Sequence, residues 1–221
     1  MSLCEKYENE DVDRFRWFLY KEPSVGTCDN ARFVFHSESG NEPPGCAKGE
    51  SLNNDPPHLY EKLAKIDNWR KVLYNFWREP FEHAAILYMS AAHAYNAQYF
   101  LFMADMRSDE KRREALRHAK KFAVEFSTLT GSQIHKVGKA DGPRLTAYEA
   151  KKWEMISEEK LAEVVQSKFR QCDIAKTVLL HTGRSTLVHR MHESARLYHW
   201  WSFLEDVREE LREEESSNVS I

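Results

Sequence analysis

The chain has few cysteines, and their placement suggests no chemistry. Cys4, Cys28, Cys46 and Cys172 are scattered through 221 residues, with no CxxC pair and no histidine at zinc-ligand spacing, which argues against the usual structural zinc motifs. Reduced thiols in an intracellular protein are the expectation. A basic excess is also missing. The net charge is −3, so broad electrostatic capture of nucleic acid is not indicated and only a local basic patch is left open. No apolar run approaches membrane-spanning length, and the charged opening MSLCEKYENEDVDR does not suit a secretory signal. The expected setting is the cytoplasm or nucleus, without a membrane partner. There, Asn218-Val219-Ser220 reads as a chance match to a glycosylation sequon.

What is present is one domain's worth of sequence with a polar loop and many helical patterns. The length suffices for a self-contained core. Residues 1–30 mix charge with Phe15, Trp17, Phe18 and Tyr20 and read as an N-terminal extension. Residues 37–57, rich in Gly, Pro, Asn and Ser, read as a long loop, and loops of that length inside a domain are often binding loops. Beyond it, Leu59, Leu63, Ile66 and Trp69 recur at steps of three or four and share one helical face. Phe81–Met89 is a short apolar passage suited to a strand. Ser90 is placed to cap a helix running to about Met106. Further helices are expected over 109–128, 146–156, 157–171, 173–182 and 196–214, with residues 213–221 as a polar tail. The fold class that follows is mainly α, with a few short strands near the N-terminal half.

Several local patterns have plain structural readings. His189, His192 and His199 suggest a metal site by spacing, but no carboxylate or cysteine pattern completes it. Glu205-Asp206 and the run from Glu209 to Glu215 read as a solvated helix end. Lys111-Arg112-Arg113 with Arg117, Lys120 and Lys121 forms a basic helical face, either solvated or suited to a phosphate backbone.

The most informative stretch is Asn75–Phe100, NFWREPFEHAAILYMSAAHAYNAQYF. It resembles the signature of the NADAR family, the YbiA-like N-glycosidases: an N-F pair, a short apolar link, then Ser/Thr-x-Glu-His, an aromatic, Gln and a closing Phe. In that register this chain has Ser90, Ala91, Ala92, His93, Ala94, Tyr95, Asn96 and Phe100, with Ala92 where the family carries glutamate. Pro43-Pro44-Gly45-Cys46-Ala47-Lys48-Gly49-Glu50 resembles the Pro-Gly-x-Gly-x-Gly-Glu loop of a viral and eukaryotic branch, with Cys46 and Ala47 at its lysine and glycine sites. Lys152-Trp153-Glu154 and Lys168-Phe169 are similar to two helical landmarks. The C-terminal part is the weakest match, and Glu193 is the candidate there for a missing acid. The resemblance covers a domain of about residues 31–212.

The resemblance implies a YbiA-like helical domain that hydrolyses the N-glycosidic bond of ADP-ribosylated guanine, in DNA or as a nucleoside, and releases ADP-ribose. It implies no cofactor and no metal. A carboxylate near C1′ would stabilise the oxocarbenium-like ribose and activate water. A glutamate at position 92 would sit in the first turn of the helix, where the macrodipole favours its charged form. The remaining assignments are also implied by the resemblance. Glu50 and Lys48 would lie near the ribose or pyrophosphate, with Glu50 the next candidate for the catalytic acid. Asn75, His93 and Asn96 would supply polar contacts, and Phe76, Trp77 and Trp153 would wall the base. Alanine at 92 fits either a hydrolase inactivated at this position or a non-catalytic ADP-ribose or NAD-binding module. A third reading, cleavage of riboflavin-pathway ribosylamino-pyrimidine phosphates, suits the long 37–57 loop less well.

Overall fold

A computed structural model describes residues 30–131, 133–134, 136–137, 142–190 and 198–218. The expected N-terminal extension, Glu193 and His192 lie outside the described residues. The chain starts with β1 (Arg32–Phe35), crosses the 37–57 loop, and forms a 3-10 turn at Pro57–Tyr60 and two short helices, α1 (Glu61–Ala64) and α2 (Trp69–Leu73). A hairpin follows, β2 (Phe81–His83) and β3 (Ile86–Tyr88), then α3 (Ala91–Asp105) and α4 (Asp109–Lys121). The second half holds α5 (Ala147–Gln171), α6 (Asp173–His181), β4 (Thr186–Arg190), β5 (Tyr198–Trp200) and α7 (Ser202–Asn218). The architecture is mainly α, as expected. No helix among the described residues is long and apolar enough to cross a membrane.

The helix boundaries differ from expectation where a local signal was misread. Residues 146–171 make one helix, because Ser157, the expected break, only turns its hydroxyl back to the Glu154 carbonyl at 3.2 Å. Its start is fixed by a capping box: Thr146 Oγ1 accepts from Glu149 N, and the Glu149 carboxylate accepts from Thr146 N at 2.7 Å. Glu149 also takes a two-pronged contact from Arg107 at 2.7 and 2.8 Å, which ties α5 to the end of α3. The last helix starts at Ser202, not 196, and runs through the acidic stretch to Asn218, past the expected end near 214.

The three-stranded sheet was only half legible. β1 pairs in parallel with β4, and β4 pairs antiparallel with β5, in the order β1-β4-β5. All five β4 residues are buried, and Phe33 and Phe35 of β1 are fully so, which is the burial pattern of strands covered on both faces, although Thr186, His189 and Arg190 of β4 are polar. At the open edge of β1, Arg32 and Ser51 exchange backbone hydrogen bonds at 2.7 and 3.1 Å, and Val34 N donates to the Glu50 side chain. That closes an edge which would otherwise invite further pairing.

Helix α3 is the central element. It is buried at Ala91, Ala92, His93, Ala94, Ala97, Phe100, Met103 and Ala104, and packs on both α4 and α5. Its alanines let neighbouring helices approach closely on more than one side. The β2–β3 turn is unusual: Ala84 and Ala85 both have positive φ, 51° and 60°. This conformation is normally supplied by Asn-Gly.

Glu149 generates a pH prediction. Arg107 and the Thr146 contacts hold its carboxyl down to about 2, against 4.5 for the free group, with burial opposing them. A depressed carboxyl contributes stability that is complete above pH 4.5 and declines as pH falls toward 2. Unfolding followed by circular dichroism from pH 6 to 2.5 should therefore show a steeper acid loss for the native chain than for Glu149→Gln.

Candidate functional site

A cleft of about 490 Å³ lies between the end of β1, the 36–48 loop and the end of β4. That size suits a small-molecule ligand. Its polar lining includes His36, Glu38, Glu42, Lys48, Arg70 and Arg190. Lys48 is exposed, and its ammonium has no ion-pair or hydrogen-bond partner among the described residues. Of the sequence-predicted residues, it is the one that lines this cleft.

Beneath the loop lies a buried ion pair. Arg70 and Glu50 have fully buried side chains and meet through two contacts, Nε to Oε1 at 2.8 Å and Nη2 to Oε2 at 2.7 Å. The guanidinium also donates to the carbonyls of Glu42 and Pro43 at 2.6 and 3.0 Å, and it stacks on Trp69 with 4.1 Å to the ring centre. Glu50 accepts in addition from Val34 N, Gly45 N and Ala47 N. With five donors on two oxygens, Glu50 presents no free carboxylate. The expected catalytic role thus gives way to a structural one. The Gly45 and Ala47 N–H groups of the loop accordingly turn inward to Glu50 and away from the cleft's solvent side.

The signature stretch assembles at the start of α3. The Asn75 carbonyl accepts from Ala92 N at 3.0 Å, capping the helix in place of the Ser90 side chain. Asn96, one turn along, donates its amide to the Ala92 carbonyl at 2.7 Å. Asn75, Ala92 and Asn96 are therefore neighbours, and the Asn75 side-chain amide has no partner among the described residues. Ala92 itself is only 3% exposed. The segment leading into Asn75 is held from the opposite side by Lys168, fully buried in α5, whose amine donates to the carbonyls of Val72 and Tyr74 at 2.8 and 3.1 Å.

His93 is brought to this cluster but has no free nitrogen. Its Nε2 contacts the Phe126 carbonyl at 3.0 Å and its Nδ1 contacts Ser90 Oγ at 2.7 Å. Because a carbonyl only accepts, Nε2 carries the proton and Nδ1 accepts from the Ser90 hydroxyl. Burial lowers the imidazole's pKa, so the neutral ring is favoured. The histidine joins α3 to the chain after α4, and the expected ligand contact is replaced by two internal ones. Ser90 meanwhile gives its hydroxyl to the histidine and not to the helix N–H groups.

The aromatic candidates separate. Trp153 packs against Tyr95, Tyr99 and Phe102 at centroid distances of 5.7, 5.5 and 5.4 Å, forming an α3–α5 wall that starts one turn beyond Ala92. Phe76 meets Tyr74 edge-on at 4.8 Å, and Tyr74 stacks on His189 at 5.1 Å. Trp77 donates its indole N–H to Glu79, which caps α6 through Ile174 N and Ala175 N. Trp77 is thus engaged in scaffold, and its expected base contact is not supported by the geometry. Arg70 and Arg190 escaped the sequence reading: nothing in the helical stripe marks Arg70 as buried, and Arg190 ends a strand that was not expected. Among the described residues, no group of three or more His, Cys, Asp or Glu side chains is placed to hold a metal ion.

No family model matches the sequence, and no curated protein matches it. Among solved structures, the chain is similar to the E. coli protein YbiA, determined by NMR, with a TM-score of 0.45 and 22% identity over 66% of this chain and 80% of that one. A likeness of that degree does not place the chain in that protein's family.

Two predictions follow from the scaffold. In Glu50→Gln, the new NH₂ group would face donors from Arg70 and the backbone, whichever oxygen it replaces. A loss of about 3–5 kcal/mol in urea unfolding is expected, as for other broken buried pairs; unchanged unfolding would refute the structural role. For Lys168, burial pushes the amine down to about 7 from 10.5. Between those values the unfolded chain binds more protons than the folded one, so stability rises with pH across that window. Lys168→Met should lose that rise, and its destabilisation should be larger at pH 10 than at pH 6.

Proposed function

We propose that this domain binds an ADP-ribose-bearing nucleotide across the Lys48 cleft and the start of α3. We further propose that it derives from N-glycosidases that release ADP-ribose from ADP-ribosylated guanine. One observation carries the reading: Asn75 and Asn96, at separate points of the NADAR-like signature, converge on the backbone of Ala92, the position where that family places its glutamate. A carboxylate there would sit in the first turn of α3, where the positive end of the helix favours its charged form. It would supply what departure of the base requires, negative charge beside C1′ and a base for the attacking water.

In this chain the remaining candidates are engaged elsewhere. Glu50 is saturated by Arg70 and three backbone N–H groups, and His93 by Ser90 and Phe126. This favours binding without hydrolysis for the chain as it stands. Lys48 supplies a free cation for a pyrophosphate, and the Asn75 amide a free donor and acceptor for the base or ribose.

The deciding comparison uses a guanine-ADP-ribosylated oligonucleotide and free ADP-ribose, with this chain and Ala92→Glu. Calorimetry should detect ADP-ribose binding to both proteins, weakened about tenfold by Lys48→Ala. ADP-ribose release should occur only with the glutamate variant, provided thermal unfolding shows it folded. Release by the unaltered chain would assign catalysis to another acid. Failure of both proteins to bind ADP-ribose would overturn the reading.

A further inference from the structure

The structure separates charge by layer. Helix α4 holds six cations, Lys111, Arg112, Arg113, Arg117, Lys120 and Lys121, against Asp109, Glu110 and Glu114, in a chain whose net charge is −3. Helix α7 has the opposite character, with seven acids against Arg208 and Arg212. Helix α4 packs on α3, α3 on α5, and α5 on α7, so two layers of helix stand between the basic and acidic elements. The apolar side of α4, Ala115, His118 and Ala119, is buried against the core, and the cations lie on the outer side.

Those cations are only partly neutralised. Glu110 pairs with Arg113 and Arg117, each guanidinium still about two-thirds exposed, and Lys121 pairs with Glu125 at 3.5 Å. Lys111, Arg112 and Lys120 make no ion pair among the described residues and are exposed. The C-terminal end of α4 also lies near the site. The chain leaving α4 folds back with Phe126 N on the Lys121 carbonyl at 2.8 Å, and the Phe126 carbonyl is the one that holds His93. Arg78, three residues after Asn75, fastens the same turn by donating to the carbonyls of Ser127 and Leu129, both at 2.9 Å. The lysine end of α4 thus adjoins the start of α3.

We propose that α4 is a docking face for the phosphate backbone of a nucleic acid. Thirteen residues of helix give a strip about 20 Å long. Cations at three- and four-residue spacing suit a regular polyanion, and guanidinium forks match phosphate oxygens. The acidic α7 layer repels the same polymer, so approach is oriented with α4 leading. Delivery of a modified base to the start of α3 rests on the function proposed above. The docking itself does not.

The test measures fluorescence anisotropy with an unmodified labelled oligonucleotide, as a single strand and as a duplex, at several salt concentrations. The full chain should bind with an affinity that falls steeply with salt. Combined Lys111→Gln, Arg112→Gln and Lys120→Gln should weaken binding about tenfold or more at low salt and flatten the salt slope by about two for a single strand and about three for a duplex, because each lost phosphate contact removes up to about one counterion. The same substitutions at exposed Lys62 and Lys65 should leave binding unchanged, and all proteins should melt alike. The better-bound form identifies the backbone geometry that fits. The proposal is overturned by absent binding at low salt, by a triple variant that binds normally, or by poly-glutamate displacing the oligonucleotide at equal charge concentration. Because the oligonucleotide carries no ADP-ribose, none of these outcomes depends on the glycosidase reading.

Discussion

The buried Arg70–Glu50 pair is the contact around which this half of the molecule is arranged. Two charges removed from water are costly, and they are tolerated only when every remaining donor and acceptor is matched. Here the matching is nearly complete: the arginine takes up carbonyls from the 40–43 segment, and the glutamate takes up N–H groups from β1 and the following turn. One interaction thereby closes the β1 edge, shapes the loop and forms the inner wall of the cleft. A loop rich in Gly, Pro and Asn would otherwise have many conformations of similar energy. The pair makes one of them the satisfied arrangement.

A second constraint runs through residues 72–78. Lys168 holds two carbonyls of this segment, the next carbonyl caps α3, and Arg78 grips the turn beyond α4. The stretch works as a strap joining α5, α3 and the chain after α4. The candidate ligand contacts at Asn75 and Lys48 therefore rest on rigid backbone, while Lys48 itself remains exposed. Positioning and recognition are divided between different residues: the buried charges position, and the exposed ones are available to a ligand.

The sequence made the helical content, the long 37–57 loop and the signature's local geometry legible, because each depends on composition or spacing along the chain. Ala92, Asn96 and the capped start of α3 lie within one turn of each other, so a helical reading brings them together at once. Glu50 and His93 were harder. A polar residue in a motif looks the same whether its partner is a ligand or an arginine twenty residues away, and Arg70 offers no mark of burial in a stripe of otherwise ordinary helix. Strand β4 was missed for a related reason. Thr186–Arg190 ends in His-Arg, and its pairing with β1 at the far end of the chain and with β5 makes it a strand.

The alanine turn between β2 and β3 bears on how the molecule comes together. Two consecutive L-residues in the left-handed region do not favour a hairpin on their own, and three-residue strands add little. The hairpin is instead gripped from outside. Glu82 exchanges two hydrogen bonds with Gln171, at 2.8 and 2.7 Å, and His83 meets Ser167, all on the last turns of α5. The ribbon that precedes α3 in the chain thus takes its shape from a helix more than eighty residues later. Its geometry is completed by contacts between the two halves of the chain.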